Sequence, residues 1–129
     1  MNLSELFFFF FFESRKYVEQ KAYSDVLKSH HSVPVDSQIA RLLLESLRDR
    51  FIARLPDNSV AINNHFETFI PVIIKTYRRY EKYQGRQPIR SCLFSGEWAK
   101  ELIIHYAGEL CSLFVKNNLA KLIKSPISH

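Results

Sequence analysis

The sequence predicts an all-α fold, a four- to five-helix bundle of antiparallel up-down type, and three observations carry that prediction. Apolar residues recur at helical rather than strand period along nearly the whole chain. Only 3 glycines and 5 prolines punctuate 129 residues, too few for the turns of β-sandwiches or for glycine-rich phosphate loops. A composition of 47% hydrophobic and 14% aromatic residues supplies one core, which excludes intrinsic disorder and fits a single domain over residues 1–129.

The first helix is expected from about Ser4 to Ser29, with Phe7, Phe11, Val18, Ala22 and Val26 on one stripe. Because a helix turns ~100° per residue, the run Phe7 to Phe12 cannot all face one way. Some of these rings meet a second wall of the same domain or another protein chain, and Phe7, Phe8, Phe9, Phe10 and Phe12 are the candidate protein interface. The continuous apolar run Leu6–Phe12 is far shorter than the roughly 20 residues that span hydrocarbon. No basic residue precedes it and no small-residue cleavage motif follows, so neither a membrane partner nor a secretory signal is expected. Two cysteines, Cys92 and Cys111, fit reduced thiols in a cytoplasmic protein.

Pro34 and the capping candidates Asp36 and Ser37 mark the start of a second helix that runs to Leu55, before Pro56. Its buried stripe is Ile39, Leu43, Leu47, Phe51 and Leu55; Arg41, Glu45 and Arg48 form a solvated face of mixed charge. Asn63 and Asn64, with Glu67, imitate a capping box that opens a third helix reaching about Gln84, and Pro71 implies either a start near Thr68 or a kink. After a loop over Gly85–Phe94, Ser95 caps a fourth helix with Glu97 in its first turn, running through about Asn117 or on to Lys124. Trp98, Leu102, Ile103, Tyr106, Leu110, Leu113 and Phe114 make its apolar face; Glu101, His105, Glu109 and Lys116 take the other side.

Charge is divided unevenly. Residues 1–69 hold 8 Lys/Arg against 9 Asp/Glu, whereas residues 70–129 hold 10 against 4, so all the excess of the +5 chain lies in the second half. Six cations and one acid fall within Lys75–Arg90. On the third helix, Phe66, Ile70, Ile73, Ile74 and Tyr80 cluster around Tyr77, while Lys75, Arg79, Lys82 and Arg86 gather at the opposite pole with Arg78 at their edge. Lys75, Arg79 and Lys82 would span about 10 Å at ~1.5 Å per residue. Arginine forks suit phosphate oxygens, and Tyr83 beside the stripe can stack on an unpaired base. Lys75, Arg78, Arg79, Lys82, Tyr83, Arg86 and Arg90 are therefore the candidate nucleic-acid-binding residues, with sequence-independent backbone contacts to DNA or RNA. An acidic protein surface and simple solvation are the competing readings of the same face.

A small, basic, all-helical chain with this cationic segment and an aromatic start resembles the small helical subunits of type I CRISPR surveillance complexes, the Cascade-like assemblies of antiviral defence. The resemblance lies in overall design and in Lys75–Arg90. It implies a non-enzymatic ribonucleoprotein subunit that contacts other subunits or further copies of itself and supports a nucleic-acid strand. The alternative is a helical adaptor with an acidic protein partner.

Other chemistry finds little support. His30 and His31 adjoin, and His65, His105 and His129 are scattered without metal-ligand spacing, so no metal is expected. His105 has Glu101 and Glu109 one turn away on either side, read as a wet helix face rather than an acid–base group. No nucleophile elbow, phosphate loop or zinc-protease helix occurs. Neither catalytic residues nor cofactors are expected.

Overall fold

The computed structural model describes residues 2–83 and 93–124, with the side chains of 77–83 and 120–124 outside the description. The described chain is all-helical: α1 (Leu3–Val18), α2 (Lys21–His30), α3 (Ser37–Arg54), a 3-10 turn (Pro56–Asn58), α4 (Ser59–Tyr83) and α5 (Gly96–Lys124). Every α-helix contributes to one buried cluster; α1 packs chiefly on α5, and α3 on α4.

The first expected helix is two helices. α1 closes where Glu19 and Gln20 donate their N–H groups to the carbonyls of Lys16 and Tyr17, and Gln20 is extended before α2 begins. The break brings Tyr17 and Tyr23 into the core together, their ring centroids 5.8 Å apart, and the Tyr17 hydroxyl donates to the Leu43 carbonyl of α3. The buried stripe of α1 is Leu6, Phe10, Glu13, Ser14 and Tyr17, one position out of phase with the expected one; Phe7, Phe11 and Val18 are exposed. Six identical rings conceal the phase, which Leu6 and Tyr17 at the ends of the stripe decide.

α3 begins as expected: Asp36 Oδ1 accepts the Ile39 N–H at 2.9 Å. Ile39, Leu43, Leu47 and Phe51 are buried and Leu55 packs against the core. The supposed solvated face of α3 instead meets α4. Arg48 lies 4.6 Å and Arg41 5.5 Å from the Phe66 ring, and Arg41 forks onto Glu67 at 2.8 and 2.6 Å. This engagement corrects the capping-box reading: Glu67 points to α3 rather than back to Asn64. α4 starts earlier, at Ser59, directly after the 3-10 turn that has Pro56 at its first position, and contains Pro71 in its interior. α5 starts as expected, with Ser95 Oγ accepting the Trp98 N–H at 3.1 Å.

At one end of the bundle the α2–α3 connection is stitched to the entry of α5. Ser32 donates its N–H to the Phe94 carbonyl at 2.9 Å and Phe94 donates one to the Val33 carbonyl at 2.8 Å, beside an isolated bridge of Pro34 with Leu93. Ser32 takes a left-handed φ of 64° to allow this.

Candidate functional site

α4 has the two-sided character its sequence implies. Ile62, Phe66, Phe69, Ile70, Ile73 and Ile74 are buried, whereas Asn64, Glu67, Thr68, Pro71, Val72 and Lys75 are exposed. The helical backbone continues to Tyr83, so positions 78, 79 and 82 follow Lys75 at helical spacing. Of the seven candidate nucleic-acid residues, Lys75 is described and exposed. Arg78, Arg79, Lys82 and Tyr83 lie on α4 with side chains outside the description, and Arg86 and Arg90 lie outside the described residues.

The phenylalanine run divides by face. Phe10 is 1% exposed, wedged 5.0 Å from Phe51 and 5.5 Å from Phe114. Phe9 is half-buried against Phe10 and Phe51. Both therefore leave the proposed protein interface, because their rings are spent on the core. Phe7 and Phe8 are about two-thirds exposed, at 67% and 66%, and Phe12 is exposed as well. Phe8 and Phe12 stack at 5.9 Å, Lys16 Nζ lies 4.5 Å from the Phe12 ring, and the Arg15 guanidinium lies 5.7 Å from Phe11. The result is an aromatic surface with cations laid on it.

Sequence reasoning missed a groove of about 630 Å³ between α1 and α5. Phe7, Phe11 and Val18 form one wall, Ile104, Gly108 and Cys111 the other. The signal was present: Ile104, Ala107 and Cys111 repeat at helical spacing beside the main stripe of α5, which makes that helix apolar on two sides.

His65, His105 and Glu109 meet where α4 faces α5. Glu109 lies 4.0 Å from His65 Nε2 and 3.7 Å from His105 Nε2. His65 also stacks on Phe69 at 5.6 Å and lies 5.9 Å from Tyr106, and its Nδ1 is buried without a hydrogen-bond partner among the described residues. Burial pushes the His65 pKa down, and the nearby Glu109 carboxylate opposes that in part. Elsewhere the Arg41 fork holds the Glu67 carboxyl below its usual range. Among the described residues, no group of three His, Cys, Asp or Glu has an arrangement that could hold a metal ion, and no helix is long and apolar enough to cross a membrane.

No protein-family model, curated protein or solved structure matches the chain.

Proposed function

We propose that this chain is a non-enzymatic assembly subunit that lays a nucleic-acid backbone along the distal part of α4 and docks onto a protein neighbour through the outer phenylalanines of α1. The observation that supports it most is the spacing along α4: its solvent side is exposed at Asn64, Thr68, Pro71 and Lys75, and Arg78, Arg79 and Lys82 follow Lys75 at helical spacing. Phosphate contacts of this kind position a strand without reading bases. The reading agrees in design with the small helical subunits of CRISPR surveillance complexes. Phe7, Phe8 and Phe12 replace the full run as the docking surface.

Titration with single- and double-stranded oligonucleotides across a salt series tests it. If five phosphates are neutralised, log affinity falls against log salt with a slope near −4 to −5. Absence of binding at low salt rejects the nucleic-acid role. The second reading, an adaptor for an acidic protein surface, is favoured by Lys16 and Arg15 lying against exposed rings of α1, where aromatic and cationic groups face solvent together.

A further inference from the structure

We propose that the groove between α1 and α5 is a binding site for a medium-chain aliphatic carboxylate, its tail along the apolar walls and its anionic head held by Arg15 and Lys100. The volume of about 630 Å³ falls within the range of small-molecule sites. Ser14 adds no free donor, since its hydroxyl already donates to the Phe10 carbonyl at 2.7 Å. An aliphatic tail asks for none.

Two features argue for this occupant. Arg15 on α1 and Lys100 on α5 both line the groove, and neither forms an ion pair within the described residues. Two cations bordering an apolar trough complement a molecule with an anionic end and a hydrocarbon body. They also oppose a second copy of this chain, whose net charge of +5 has the same sign. Gly108 is the other feature. Glycine is among the least favourable residues for a helix interior, yet a Cβ built at Gly108 meets nothing within 4 Å, so packing within the chain gives no reason for it. Its bare backbone keeps the α5 wall flat and open to close approach by a ligand.

Calorimetric titration of the full chain with monomeric octanoate, decanoate and dodecanoate tests the site. One-to-one binding is expected, tightening about fourfold per added methylene while the tail still finds wall to cover. Dodecanol should bind about three- to tenfold more weakly than dodecanoate, and the double variant Arg15→Gln/Lys100→Gln should lose the same preference for the acid. Gly108→Phe should abolish binding with thermal unfolding preserved, because the new ring occupies the trough. The proposal is overturned by no binding, by affinity independent of tail length, or by a folded Gly108→Phe chain that binds like the parent. It is equally overturned if sedimentation finds a dimer that dodecanoate leaves intact, or if an acidic amphipathic peptide binds the groove where dodecanoate does not. The groove shares Phe7 with the proposed docking surface but takes none of its lining from α4, so dodecanoate binding and oligonucleotide binding can each fail alone.

Discussion

Glu13 of α1 is buried against Arg50 of α3, with Arg50 Nε 3.2 Å from Glu13 Oε2 and Arg54 3.6 Å from the other carboxylate oxygen. The exposure of this trio is unequal, because the carboxylate is almost wholly enclosed while both guanidiniums reach solvent. Removing a cation therefore hurts more than removing the acid. Arg50→Met should cost about 2–4 kcal/mol, tempered by Arg54, since it strands a buried charge. Glu13→Gln should cost about 1 kcal/mol. Urea unfolding of the two variants checks the order, and a reversed order contradicts the burial of Glu13.

The two faces of the phenylalanine run should separate cleanly. Phe10→Ala removes a ring packed on Phe51 and Phe114 and should cost about 3–5 kcal/mol. Phe8→Ala, on the solvent side, should stay within about 0.5 kcal/mol of the parent. Its effect should surface as weakened capture by the neighbouring subunit. Equal losses of stability at both positions would mean the phase of α1 is wrong.

Acid should loosen the contact between α4 and α5. Burial holds the folded His65 pKa below the ordinary histidine value of about 6.5, so the unfolded chain binds a proton that the folded chain resists. Stability from this residue is complete above about pH 6.5 and declines as pH falls from there toward the lower folded value. In His65→Gln that dependence should flatten, as judged from urea midpoints at about pH 5 and about pH 7.5. An unchanged slope in the variant would assign the acid sensitivity elsewhere.

Gly108→Ala should stabilise the chain by about 0.5–1 kcal/mol, because it removes backbone freedom from the unfolded state and its methyl group meets open space. A rise in the thermal midpoint checks this. A fall would reveal a steric demand on that face of α5.

Helix caps and stripes were readable because each is a local signal. Asp36 and Ser95 cap α3 and α5 as their types suggest, and the stripe of α3 follows from leucines and an isoleucine set among polar residues. Phase was unreadable in α1, where apolar residues occupy every position from Leu6 to Phe12. The break after Val18 has neither glycine nor proline to announce it, and it serves a tertiary purpose, bringing in Tyr23. Glu67 satisfied a local capping pattern but was claimed by Arg41, a residue 26 positions away. Site chemistry was less legible than fold. The Lys75–Arg90 segment declares its charge in the sequence, whereas the groove needs two helices distant in the chain to be laid side by side.

The pair of backbone bonds joining Ser32–Val33 to Phe94 closes a circuit of ~60 residues, so it cannot form cheaply before the intervening helices have condensed. It should be among the final contacts made on folding and among the first surrendered under stress. Slackening it would release α5 at its entry, where Phe94 leans on Trp98 at 5.7 Å. Amide exchange at Phe94 should therefore report opening of the bundle at this junction ahead of global unfolding.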